Sequence, residues 1–148
     1  MSARQRRALF VCVGNACRSQ MAEAFARAYG ADVMTPASAG LRPASQVMPD
    51  TIRAMLEKGL DVRAHFPKDL RHMLRMHFDF VVNLSGLTLP DCDAPIREWA
   101  VPDPVVMSYE DHCAVRDQIE QLVMDLILEL RREIKPHLQG QGSGRLRL

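Results

Sequence analysis

Within this 148-residue sequence the residues best suited to chemistry are Cys12 and Arg18, set in the segment Cys12-Val13-Gly14-Asn15-Ala16-Cys17-Arg18-Ser19. A thiol and a guanidinium separated by five residues suit the capture of a tetrahedral oxyanion and attack on its central atom. The guanidinium is a planar fork that matches two of the oxygens, and the thiolate is the nucleophilic form of cysteine. If the segment closes as a loop at a helix N-terminus, the backbone N–H groups of Val13, Gly14, Asn15, Ala16, Cys17 and Ser19 form an oxyanion-binding loop (a P-loop) that the helix dipole reinforces. Gly14 is expected to take a backbone conformation that other residues resist, and Asn15 tolerates the left-handed region. The Ser19 hydroxyl is placed to donate to the Cys12 sulfur. A tetrahedral oxyanion is the ligand class that such a loop takes.

A thiolate that attacks a phosphate monoester expels a poor leaving group unless an acid supplies a proton. Asp103, in Pro102-Asp103-Pro104, is the candidate donor, and the same carboxylate can then activate water. A turn residue preceding proline is the plainer account of Asp103, and the residues alone leave both open.

The elements around the loop follow from pattern. Ala8 to Val13 is a short continuous apolar run, as in a strand buried on both faces of a parallel sheet. From Ser19, an expected N-cap, Met21, Ala22, Phe25, Ala28 and Tyr29 recur at helical spacing up to Gly30. Asp32 to Ala39 reads as a weaker strand, Gly40 to Pro49 as a loop and Asp50 to Gly59 as a helix. Pro67 is expected to open a helix through Leu70, Met73 and Leu74 before a strand at Phe78 to Leu84. A long loop then covers Ser85 to Pro95, and Ile96 to Val101 is a last short strand. The final helix has the clearest pattern, with Val115, Ile119, Leu122, Val123, Leu126, Ile127 and Leu130 at 3–4 spacing. Alternating strands and helices imply a single-domain α/β fold over residues 1–136: an open parallel four-stranded sheet with helices on both faces. Ligands bind such sheets beyond the carboxyl ends of the strands, where strand order reverses. Residues 137–148 read as a disordered tail.

The remaining sequence narrows the function classes. A formal net charge of +1 provides no overall field toward nucleic acid or membrane, and no stretch reaches the roughly 20 apolar residues of a membrane span. A cytoplasmic protein is expected. There, Cys12, Cys17, Cys92 and Cys113 are not a disulfide framework, and their spacing has no zinc-type pair. The five histidines read as scattered surface residues, the nine methionines as core filling, and no cofactor or metal is expected.

The stretch CVGNACRSQMAEAFA, with Ser38-Ala39-Gly40, Gly59-Leu60-Asp61, Phe78-Asp79 and Asp103-Pro104, resembles the low-molecular-weight protein tyrosine phosphatase superfamily, which includes the thioredoxin-coupled arsenate reductases. The resemblance implies that family's flavodoxin-like sheet, with Cys12 as nucleophile, Arg18 as oxyanion clamp and Asp103 as proton donor. It implies a phosphomonoester hydrolase working through a phosphocysteine intermediate. The alternative it offers is an arsenate reductase that uses Cys12 with Cys92 or an external thiol, thioredoxin or a small thiol then being the partner. Gln20, where the phosphatases carry proline, and Trp99 resemble the reductases; Ser85 stands where their second reactive cysteine belongs, and Cys92 falls near the third. Cys17 resembles the cysteine with which similar phosphatases form a protective disulfide. A module that binds an oxyanion or a partner without turnover is the non-enzymatic alternative.

Overall fold

The computed structural model describes residues 5–146, with side chains described through residue 134. Strand β1, Arg6–Cys12, lies inside a four-stranded parallel sheet of order β2-β1-β3-β4, with β2 at Met34–Gly40, β3 at Phe80–Asn83 and β4 at Ile96–Glu98. Ala8, Leu9, Phe10 and Val11 have no exposed surface, because both faces of the sheet are covered. Alternation along β1 assigns its residues to two cores. Phe10 and Cys12 face Met21 and Phe25 of α1 (Arg18–Tyr29) and Ile119 and Val123 of α4 (Tyr109–Leu146), while Leu9 and Val11 face Leu70 and Met73 of α3 (Leu70–Met73) and Phe78. Helix α2, Pro49–Leu56, packs Met55 into the first core.

The chain leaves β1 toward β2 on one side and later returns to β3 on the other. The strand order therefore reverses at the carboxyl end of β1, where Cys12 sits. The register pairs Cys12 with Gly40 and Val11 with Asn83, so three strand ends converge on the loop that follows β1.

Several boundaries differ from expectation. Helix α1 starts at Arg18 with Cys17 as its N-cap, and no side chain caps it. Ser19 is already inside the first turn, where its N–H is directed to the Cys12 sulfur at 3.4 Å. Pro67 opens no helix; Asp69 caps α3 instead, accepting from the Arg71 N–H at 2.8 Å. The last strand stops at Glu98. The backbone of α4 continues through Pro136 to Leu146, over most of the residues expected as a tail; residues 147–148 lie outside the described residues. Among the described residues no helix is long and apolar enough to cross a membrane.

Candidate active site

The loop between β1 and α1 is held from inside by polar contacts. Cys12 Sγ lies 2.9 Å from Ser19 Oγ, which also accepts from Asn15 Nδ2 at 2.7 Å. Asn15 is fully buried and has φ 51°, and its Oδ1 accepts from the Lys68 backbone N–H at 2.9 Å. The left-handed backbone thus falls on the residue whose short amide both tolerates it and bonds locally. Gly14 needs no special conformation, contrary to expectation: a Cβ there would meet Ala44 Cβ at an ordinary 3.8 Å. Gly40 at the end of β2 is the glycine the loop requires. A Cβ on it would lie 2.8 Å from the Val13 carbonyl oxygen and 2.9 Å from the Asn15 nitrogen.

Arg18 is buried, and its Nη1 donates to the Leu84 carbonyl at 2.6 Å and the Val101 carbonyl at 3.0 Å. Those two bonds aim the guanidinium from the ends of β3 and the segment after β4. Its Nη2 lies 3.4 Å from Asp103 Oδ2. Asp103 in turn caps the 3-10 turn Pro104–Val106, accepting from the Val105 N–H at 3.1 Å, and its side chain is 44% exposed. Cys12, Arg18 and Asp103, with Val13, Gly14, Ala16 and Cys17, therefore line one cavity of about 290 Å³, completed by Ala44, Met48 and Val105. Among the described residues no aromatic ring lines it. Tyr109 is turned to Arg53, whose guanidinium lies 3.8 Å from the ring centroid.

The other cysteines separate. Cys17 is buried with its sulfur 3.0 Å from Met48 Sδ, and desolvation pushes its thiol up to about 11 against a lowering hydrogen bond from Thr51. Cys92 lies in a different cavity of about 200 Å³ with His77 and Asp91, packed against the Leu9 and Val11 core. The sheet stands between Cys92 and Cys12. Ser85 is buried and closes a local turn, donating to Asn83 Oδ1 at 2.6 Å and accepting from the Leu87 N–H at 3.0 Å. Cys113 faces Glu57. All four cysteines are free.

Sequence reasoning missed the polar residues that brace the loop. Gln20 is fully buried and donates to the Asn15 and Phe66 carbonyls, both at 3.1 Å, while His65 Nδ1 lies 3.2 Å from its Oε1. Buried Glu23 accepts from Ser38 and lies 2.6 Å from Arg27 Nη1 and 3.9 Å from Lys68 Nζ. Burial lowers the Lys68 ammonium below its ordinary range. His112 corrects the reading of surface histidines: it is fully buried, its Nε2 lies 3.0 Å from Thr51 Oγ1, and its Nδ1 has no hydrogen-bond partner among the described residues. Met48 likewise departs from core filling, since it lines the cavity. Among the described residues no group of three His, Cys, Asp or Glu could hold a metal ion.

The chain is similar to known proteins. The chain is 33% identical over 130 residues to the glutaredoxin arsenate reductase of Synechocystis sp., covering 84% of this chain and 98% of that protein. It is 31% identical over 121 residues to arsenate reductase 1 of Staphylococcus epidermidis, covering 77% and 89%. A solved arsenate reductase in its phosphate-binding state superposes with a TM-score of 0.77 at 32% identity, covering 85% of this chain and 99% of that one. The family model of the low molecular weight phosphotyrosine protein phosphatases matches residues 7–136, and this chain belongs to that family.

Proposed function

We propose that this protein is an arsenate reductase whose nucleophile is Cys12. The observation that carries the reading is the make-up of the cavity: three sulfur-bearing residues, Cys12, Cys17 and Met48, line a space of about 290 Å³ together with Arg18 and, among the described residues, without an aromatic ring. Soft sulfur suits arsenic, which becomes more thiophilic as it is reduced, whereas a phenyl ester has no ring to stack on. The arsenate reductases at 31–33% identity support the same choice.

In the proposed reaction the loop N–H groups and Arg18 bind arsenate. The Cys12 sulfur bonds to arsenic, and one arsenic–oxygen bond breaks with Asp103 protonating the departing oxygen. A thiol then attacks the Cys12 sulfur; arsenic leaves with the bonding pair as arsenite, and a disulfide remains for an external thiol to reduce. A reduced cytoplasmic thiol pool is the setting this chemistry needs.

A thiol-dependent assay of arsenite formation, with glutathione plus a glutaredoxin or thioredoxin, tests the proposal. Turnover that disappears in Cys12→Ser supports it. Hydrolysis of an aryl phosphate without any arsenite would replace it with a phosphatase through a phosphocysteine, a reading that the Arg18–Asp103 pair also serves.

A further inference from the structure

Resting on the arsenate reading, we infer that Cys17 is the second thiol of the reaction and that a buried Thr51–His112 relay takes its proton.

Two observations meet here. Cys17 shares the cavity of Cys12, whereas Cys92 is held in another cavity on the opposite side of the sheet. Cys17 is also a poor nucleophile as it rests, because desolvation holds it protonated with help from the nearby Cys12 and Asp103 charges, opposed by Thr51 and Arg18. A buried thiol of this kind attacks only if its proton has somewhere to go. Thr51 is the polar neighbour that lowers the Cys17 thiol, and Thr51 Oγ1 lies 3.0 Å from His112 Nε2, at the start of α4. Burial keeps His112 neutral by lowering it below the usual histidine value, against the raising effects of Asp50 and Asp103 and of its other polar neighbour, the Pro104 backbone. A neutral ring with its proton on Nδ1 leaves Nε2 free to accept. His112 is fully buried between α2 and the turn that carries Asp103.

The step balances. The Cys17 sulfur bonds to the Cys12 sulfur as the Cys12–arsenic bond breaks, and its electron pair leaves on arsenic, which passes from As(V) to As(III). Each sulfur gives up one electron. The Cys17 proton moves to Thr51 Oγ1 while the Thr51 hydroxyl proton moves to His112 Nε2. An external thiol returns the Cys12–Cys17 disulfide to two thiols. His112 acts on sulfur only through Thr51 and is a positioning residue in this scheme.

A single-turnover experiment on the reduced full chain, mixed with arsenate in the absence of any other thiol, tests it. The Cys92→Ser protein is expected to release about one arsenite per chain and to carry a Cys12–Cys17 disulfide on mass-spectrometric mapping. Cys17→Ser is expected to release none until glutathione is added. Thr51→Val is expected to slow release by about 100-fold, as loss of general base assistance does, while Thr51→Ser restores it. The rate of the Cys92→Ser protein should rise with pH across the His112 titration, below the ordinary histidine range, and Thr51→Val should lose that limb. Full release from Cys17→Ser without added thiol, dependence on Cys92, or a Thr51→Val rate equal to that of Thr51→Ser overturns the inference. No arsenite from any of these proteins even with glutathione present overturns the arsenate reading itself, which separates the two failures.

Discussion

The two walls of the cavity beside Cys12 are built on different principles. On the cradle side, Asn15, Ser19, Gln20 and Arg18 are buried and each makes hydrogen bonds to backbone or to one another. On the acid side, Asp103 is nearly half exposed, one bond to Val105 caps its turn, and Val106 beside it is 91% exposed. Binding a tetrahedral anion demands donors fixed before the anion arrives, since reorganising them would consume the electrostatic gain. A proton donor need only reach one oxygen at the moment of reaction. The contrast fits the proposed division of labour, with a rigid wall for recognition and an accessible one for proton transfer.

The largest expected effect tests the rigid wall. Arg18→Lys keeps the charge but loses the fork, and it strips the Leu84 and Val101 carbonyls of their shared donor. Turnover per substrate encounter, kcat/KM, should fall about 1000-fold, the upper range for losing one preorganised oxyanion donor. A fall of less than tenfold would mean that the guanidinium geometry does not matter and the cradle is not preorganised.

Asp103→Asn probes the other wall and should cost about 100-fold in kcat, the lower range for a general acid. Because the carboxylate is exposed, the thermal midpoint should stay unchanged and phosphate should still bind. Loss of phosphate binding would instead place Asp103 in the cradle.

The same contrast governs what could be read from sequence. The cradle is a contiguous segment between an apolar strand and an amphipathic helix, so Cys12, Arg18 and the β1–α1 unit are legible from local pattern. Asp103 is brought to Arg18 by the folding of residues 19–102, and only the family resemblance points to it. Gly14 was singled out because glycine inside a loop signals unusual backbone, yet the strained position is Asn15 and the indispensable glycine is Gly40, across a strand pair. No local signal records that approach. Gln20 and Glu23 lie outside the apolar spacing of α1, and their burial accompanies contacts to the loop around Lys68. His112 and Thr51 are far apart in sequence, so their pairing exists only in three dimensions.

Gly40→Ala is the third step down in size. The added methyl cannot avoid the Val13 carbonyl and the Asn15 nitrogen without moving backbone, and overpacking of this kind costs about 1–3 kcal/mol. Stability to urea should fall by that amount. Activity should drop about tenfold, as a shift of the cradle by a few tenths of an ångström misaligns its donors. The control is Gly14→Ala, which has room and should leave the stability to urea unchanged.

The smallest effect concerns acid, and it touches both walls at once. His65 contacts Gln20 on the cradle side and His112 contacts Thr51 on the acid side, and desolvation lowers both below the ordinary histidine value of about 6.5. The unfolded chain then binds more protons than the folded one as pH falls, so stability is fully present above that value and is lost progressively below it. The thermal midpoint should drop between pH 7 and pH 5, and His112→Phe should flatten that slope, as should His65→Gln to a lesser degree because His65 is only half-buried. If His112→Phe leaves the slope unchanged, the ring is not held neutral beneath the Asp103 turn, and the acid wall is looser than its packing implies.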